Sequence, residues 1–237
     1  MTTIEDNLHR VRARLQQACN AAGRSVNEVT LLAVSKTFEA DAVRQAYAAG
    51  QQAFGENYVQ EGVEKVEQVR ALGACPHIVW HCIGPLQSNK TRLVAEHFDW
   101  VQSIDRLKIA QRLNEQRPAQ LPPLQVCIQV NVDGGANKSG VAAGDALELA
   151  QAMAALPRLR LRGLMAIPEP APDFETQRAL FLRAKALFDE LRAHGLDLDT
   201  LSLGMSDDLE AAVAAGSTMV RVGRAVFGHR ERKVAAA

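Results

Sequence analysis

The apolar pattern of this chain switches repeatedly between a strand-like period and a helical one, and this alternation restricts the fold more than any other feature. Apolar segments predict eight strands, at 30–35, 52–55, 77–83, 100–103, 124–132, 159–166, 200–203 and 219–222. Helical segments separate them, at 39–49, 58–72, 89–97, 105–117, 144–156, 175–194 and 207–215. This repetition is typical of parallel strands joined by right-handed crossovers.

The number of units and the chain length favour a closed barrel. Eight units in 237 residues fit an α/β fold of the (β/α)₈ TIM-barrel type, which typically occupies about 250 residues. An open doubly wound sheet is the alternative, but no GxGxxG follows the first strand, which weakens the dinucleotide-binding version of it. No domain boundary is visible, so residues 1–237 are expected to form a single domain.

One further helix is predicted ahead of the first strand. A threonine at position 2 or 3, followed by an acidic residue at position 5 or 6, resembles a capping box. A single apolar stripe follows it, made of Leu8, Val11, Leu15 and Ala18 and ending near Gly23. The barrel is therefore expected to carry an extra N-terminal helix.

Charge and hydropathy narrow the range of partners. Twenty-seven basic and 27 acidic residues give a formal net charge of zero, so no overall field favours nucleic acid or an anionic membrane. No stretch reaches the roughly 18–20 apolar residues of a membrane span, and the N-terminus lacks a signal-type apolar core. A cytoplasmic protein without nucleic-acid or membrane partners is expected.

The four cysteines, Cys19, Cys75, Cys82 and Cys127, stand far apart and show no CxxC spacing. Neither a metal site nor a disulfide framework is expected from such spacing. Reduced, buried thiols are the prediction.

Lys36 ends the apolar run of the first predicted strand. Active sites of (β/α)₈ barrels lie at the carboxyl ends of the strands, so this lysine would enter a closed interior. Poor solvation there lowers a lysine pKa and leaves a neutral amine that can form a Schiff base with a carbonyl. A covalently held aldehyde is the function this residue predicts; the alternative is a strand-end lysine that extends into solvent.

Two further polar residues, near the second and third predicted strands, are candidates for ligand contact. Asn57, after the second strand, can hydrogen-bond a ligand oxygen or belong to an ordinary turn. His81, in the third strand, can contact a ligand, but a histidine in an apolar strand is more often a hydrogen-bonded core residue.

The loops after the last two strands indicate a phosphate site, since barrels often bind phosphate there. Gly204 and Gly223 allow close backbone approach, and Ser206 offers a hydroxyl or an N-cap to the next helix. Arg221 shares a strand face with Gly223, and its guanidinium needs an acceptor. That acceptor is either an acidic side chain or an aromatic nitrogen of a bound ring.

An amine facing a phosphate site describes a holder for a phosphorylated aldehyde, and pyridoxal 5′-phosphate (PLP) is the obvious candidate. The sequence resembles the pyridoxal phosphate homeostasis protein family along nearly its entire length. The matching segments are LLAVSKT, FGENYVQE, HIVWHCIGPLQSNK, VNVDGGANKSG and LSLGMSDDLEAAVAAGSTMVRVGRAVFG. The resemblance implies a fold-type-III barrel, like the N-terminal domain of alanine racemase, with PLP covalently held on Lys36.

The same resemblance assigns the other site residues. It puts Asn57 beside the cofactor and Arg221 against the pyridine nitrogen. Met205, Ser206, Gly223 and Arg224 would surround the phosphate. Arg224 departs from the family pattern, in which a small hydroxyl residue is usual; its backbone N–H remains available to the phosphate, and its guanidinium adds charge. Cys82 replaces a common aromatic residue. No catalytic residue and no metal ligand are assigned.

The implied role is a monomeric, non-catalytic binder that buffers PLP and delivers it to PLP-dependent apoenzymes. An arginine cannot accept the proton of a protonated ring nitrogen, so it weakens the cofactor as an electron sink. Racemases of this fold add a second base, a tyrosine, and neither Tyr47 nor Tyr58 has the expected location. A PLP-dependent amino-acid racemase is the alternative, and a Schiff-base aldolase acting on a phosphosugar is a third hypothesis.

Overall fold

The computed structural model describes residues 2–134 and 139–228, so part of the quoted segment VNVDGGANKSG lies outside it. Within these ranges, eight parallel strands pair in chain order and close into a barrel, because the first pairs with the last. The strands are β1 (Thr30–Val34), β2 (Ala53–Glu56), β3 (Val79–Cys82), β4 (Trp100–Ile104), β5 (Leu124–Asn131), β6 (Val141–Ala142), β7 (Leu159–Met165), β8 (Thr200–Ser202) and β9 (Met219–Val222). All except β6 form the ring, which confirms the (β/α)₈ prediction.

Helices surround this barrel and connect its strands. They are α1 (Ile4–Ala21), α2 (Ala40–Ala48), α3 (Val59–Ala71), α4 (Thr91–His97), α5 (Leu107–Gln116), α6 (Ala146–Ala154), α7 (Phe174–Ala193), α8 (Leu209–Ala214) and α9 (Arg224–Phe227). The predicted N-terminal helix is α1, and a capping box between Thr3 and Asp6 begins it. None of the helices described is long and apolar enough to cross a membrane.

Among the described strands and α-helices, two short elements were not predicted from the sequence. Strand β6 has two residues and pairs with the end of β5, with Val141 opposite Val130. Helix α9 has four residues. Both are too short to produce a recognisable hydrophobic period.

The strands alternate between two apolar environments, as the period of two requires. Phe54 and Trp80, whose ring centroids lie 5.8 Å apart, belong to the core that the strands share with the helices. Leu32, Val34 and Ile83 form a separate buried cluster with Met219. This second cluster leads to the cavity described below.

All four cysteines are free: Cys19, Cys82 and Cys127 are buried, and Cys75 is half-buried. Burial raises the pKa of Cys82 and of Cys127 to about 12, so both remain thiols at neutral pH.

We therefore expect a thiol reagent at neutral pH to label Cys75 first and the other three only in denaturant. Mass spectrometry of labelled peptides measures this, with Cys75→Ser as the control. Equal labelling of Cys82 in the native protein would contradict it.

Candidate functional site

A cavity of about 800 Å³ opens at the carboxyl ends of the barrel strands. Its lining residues are Val34, Lys36, Phe38, Asn57, Ile83, Ile167, Met205, Ser206, Asp207, Arg221, Gly223, Arg224 and Gly228. The seven residues that the family resemblance assigns to the site are all among them. The volume falls in the range of small-molecule sites.

Lys36 lies in a turn two residues beyond the end of β1, rather than at the end of the strand itself. Its side chain is half-buried and lines the cavity. The turn is closed by a hydrogen bond from the Phe38 N–H to the Ser35 carbonyl, at 3.1 Å. The amine is thus presented by a loop that the strand supports.

Asn57 follows β2 directly and carries a buried amide oxygen, Oδ1, with no hydrogen-bond partner. Its backbone is packed against Gly84, where an added Cβ would stand 2.1 Å from the Asn57 carbonyl oxygen. Only glycine fits there, so Gly84 sets the position of Asn57. Gly84 was not predicted from the sequence as a site residue, although its place between a strand and Pro85 was a usable signal.

Arg221, on β9, is buried and contacts the ends of β8 and β7, the next two strands around the ring. Its Nη1 donates to the carbonyl and to the hydroxyl of Ser202, both at 2.7 Å, and its Nη2 donates to the Ala166 carbonyl at 3.0 Å. These acceptors are neutral oxygens, so the acidic partner considered from the sequence is absent from these contacts. Burial lowers the pKa of Arg221 to about 10, which still leaves a cation at neutral pH.

The hydrogen bonds continue from Arg221 into the barrel interior. Ser202 Oγ donates to Gln102 Oε1 at 2.7 Å, and Gln102 Nε2 bonds His81 Nδ1 at 3.0 Å. Burial lowers the pKa of His81 to about 3, so the ring is neutral and accepts at Nδ1. The ring also stacks on Trp100, with centroids 5.0 Å apart, and His81 does not line the cavity. His81 is therefore a hydrogen-bonded core residue, as its apolar strand favoured.

The loop after β8 carries Met205, Ser206 and Asp207, and helix α1 anchors it. Arg14 of α1 donates to the Ser206 carbonyl at 2.6 Å and pairs with both carboxylate oxygens of Glu210 at 2.5 Å. Arg14 was not predicted from the sequence, because nothing in an amphipathic helix indicates which distant loop its polar face contacts.

Two expectations about this loop are wrong. Ser206 is not an N-cap, because α8 begins only at Leu209 and its N-cap position is Asp208, whose carboxylate accepts from the Met205 N–H within the loop. Gly204 does not line the cavity; its φ is +87°, and a Cβ there would stand 2.4 Å from the Cβ of Ala212. Its missing side chain therefore serves packing against α8.

The cavity combines apolar walls with an excess of positive charge. Arg221 and Arg224 are opposed by one acidic residue, Asp207. Val34, Ile83 and Ile167 provide aliphatic surface. Among the described lining residues Lys36 is the one amine. Such a site suits a flat ring that carries an anionic group and an electrophilic carbon.

Comparison with known proteins agrees with this chemistry. The family model "Alanine racemase, N-terminal domain" matches residues 7–231. The pyridoxal phosphate homeostasis proteins of Escherichia coli and Pseudomonas aeruginosa are 56% and 58% identical over 231 residues; each match covers 98% of this chain and 98% or 97% of the relative. The structure of PipY from Synechococcus elongatus with PLP bound matches with a TM-score of 0.82 and 37% identity, covering 95% of this chain and 100% of that one.

Proposed function

The chain belongs to the family of pyridoxal phosphate homeostasis proteins, and from this premise we propose that it holds PLP as a Schiff base on Lys36 and buffers and delivers the cofactor inside the cell. The observation that carries the proposal is that Lys36, Arg221 and the loops after β8 and β9 line one cavity. On this proposal the protein is a cytoplasmic monomer of one domain spanning residues 1–237.

Each wall of the cavity has a part in holding the cofactor. When bound, PLP would supply an aldehyde group, and Lys36 would supply the amine that condenses with it, with loss of the carbonyl oxygen as water. The phosphate would be held by Met205, Ser206, Gly223 and Arg224. Arg221 would face the ring nitrogen. Arg224 is exposed and lines the cavity, so its charge can contribute even where no direct bond forms.

Asn57 provides a test of fit that does not depend on the relatives. A buried oxygen without a partner is costly, and such atoms usually meet a ligand or a water. The ring of PLP carries a hydroxyl group that can donate a hydrogen bond to this oxygen. The residues present therefore fit the cofactor.

The same residues support storage rather than turnover. Arg221 remains a cation and has no site to accept a proton, so it opposes a positive charge on the facing ring nitrogen. A racemase also needs a second base, and neither Tyr47 nor Tyr58 lines the cavity. The match to the alanine racemase N-terminal domain keeps a racemase as the alternative. Turnover of several chiral amino acids well above that of free PLP would favour it.

The decisive experiment is the intact mass of PLP-loaded protein with and without borohydride reduction, followed by peptide mapping. We expect one reduced adduct, on the peptide that contains Lys36. A protein that never acquires a reducible bond there in excess PLP would exclude the proposal. An aldolase would instead bind no aldehyde cofactor and would trap a phosphosugar.

Ser206→Ala is expected to weaken PLP binding more than it slows the covalent step, because a hydrogen bond to a charged group contributes about 1.5–3 kcal/mol, or roughly 10- to 150-fold in affinity. Equilibrium dialysis measures the affinity. Pyridoxal, which lacks the phosphate, is the matched control ligand, and its affinity should not change. Equal PLP affinity in wild type and variant would show that the phosphate lies elsewhere.

A further inference from the structure

We infer that Glu61, together with the buried pair Lys65 and Glu56, is a positioning group that holds the backbone on both sides of Lys36 and so directs its amine into the cavity. The inference rests on the proposed function, in which Lys36 is the reacting amine. None of these three residues lines the cavity.

The backbone directly after Lys36 is strained. Thr37 has a φ of +68° and is the one non-glycine residue with a positive φ among those described. It occupies the third position of the turn from Ser35 to Phe38, where a positive φ normally calls for glycine or asparagine. For an L-residue this conformation is disfavoured by roughly 5- to 30-fold, so something must hold it.

The group that holds it is a carboxylate on α3. The Thr37 N–H donates to Glu61 Oε1. That same oxygen lies 3.2 Å from the ammonium of Lys65, one helical turn further on. The strained residue is thereby tied to a buried cation.

The other side of Lys36 is tied to the same cation. Lys65 Nζ donates to the Ser35 carbonyl at 2.8 Å and to Glu56 Oε1 at 2.7 Å. The Ser35 hydroxyl donates to that Glu56 oxygen at 2.6 Å. Ser35 and Glu56 have no exposed surface and Lys65 has 4%, so water does not compete for these bonds.

Lys36 therefore lies between two backbone segments that one network fixes: the Ser35 carbonyl before it and the Thr37 N–H after it. Formation of an imine requires the amine and the aldehyde carbon to meet in a narrow geometry, and fixing one partner in advance speeds such steps. If Glu61 is removed, Thr37 is free to leave its strained conformation, and this turn can rotate the Lys36 side chain away.

The test is the rate of imine formation after mixing apoprotein with PLP, followed by stopped-flow absorbance. Glu61→Ala is expected to slow this rate about tenfold, the scale of the conformational penalty at Thr37. Glu64→Ala, an exposed glutamate on the same helix, is the matched control and should react like wild type. Alanine favours helix, so the variant should fold, and its urea transition verifies this.

Adding Thr37→Gly to Glu61→Ala should restore most of the rate, because glycine adopts a positive φ without support. General destabilisation by Glu61→Ala would not be repaired in this way. Wild-type speed in Glu61→Ala, or no recovery in the double variant, would overturn the inference. If wild-type protein itself forms no reducible bond at Lys36, the proposed function fails instead.

Discussion

Lys36→Ala protein is expected to show no Schiff-base absorbance after incubation with PLP and removal of the unbound cofactor, and to yield no reduced adduct, whereas its cooperative unfolding remains close to that of wild type. The substitution removes the one amine among the described residues that line the cavity. It removes little packing, because Lys36 is half-buried and lies in a turn, and such substitutions usually change the free energy of unfolding by less than about 1 kcal/mol. Absorbance, adduct mass and urea unfolding measure the three quantities.

Lys90→Ala is the matched control, because it makes the same substitution at a lysine outside the cavity lining. It should keep both colour and adduct. Two results would contradict the assignment of Lys36: an adduct on another lysine in Lys36→Ala, or loss of the unfolding transition together with the colour. The second result would mean that Lys36 is a structural residue.

The position of the site was predictable because barrel topology converts chain order into spatial order. A residue that follows any parallel strand lies at the same end of the barrel as residues that follow the others. Lys36, Asn57 and Ser206 stand far apart in sequence, yet each lies in the loop that follows a barrel strand and each lines the cavity. The strand pattern and the residues at its boundaries were sufficient for this step.

The supporting contacts were not predictable, because they join residues whose positions relative to each other depend on packing. Gln102 and Ser202 are 100 positions apart and meet only inside the closed barrel. Arg14 and Ser206 are separated by 192 positions in the sequence. Gly204 was predicted to let the backbone approach a ligand. In the structure this position needs glycine because a side chain would collide with the Cβ of Ala212. The hydrophobic period indicates which face of a helix or strand is buried, but it does not indicate which polar atoms of neighbouring elements form contacts.

Lys65 illustrates the same limit in a single side chain. In sequence it is one charged residue of the helix EGVEKVEQV, where a solvated position is the usual reading. In the structure it is almost fully buried, with Glu56, Glu61 and the Ser35 carbonyl around its ammonium. The chain therefore carries two lysines near the turn after β1 in different settings: Lys36 lines the cavity, where we propose that it binds PLP, and Lys65 is buried in an ion-pair network.

The Lys65→Met variant is accordingly expected to fold, but with a much lower free energy of unfolding than wild type. Removing one member of a buried ion pair costs about 3–5 kcal/mol, because the remaining charge stays buried without compensation. Urea unfolding with an unchanged m-value measures the loss. Lys185→Met is the matched control: its ion pair with Asp189 is partly exposed, so about 1 kcal/mol or less is expected.

The loss in Lys65→Met should depend on pH, because burial already raises the pKa of Glu56 and the missing ammonium no longer opposes this. A carboxyl whose folded-state pKa is raised contributes stability below its unfolded pKa, about 4.3, and that contribution disappears as the pH rises. The free energy of unfolding of Lys65→Met should therefore be lowest near neutral pH and should rise as the pH falls toward 5. The double variant Glu56→Gln, Lys65→Met lacks the buried charge, so it should exceed Lys65→Met in stability at neutral pH and lose this pH dependence. A loss that matches Lys185→Met at every pH would mean that Lys65 is solvated and that the pair does not hold the turn at Lys36.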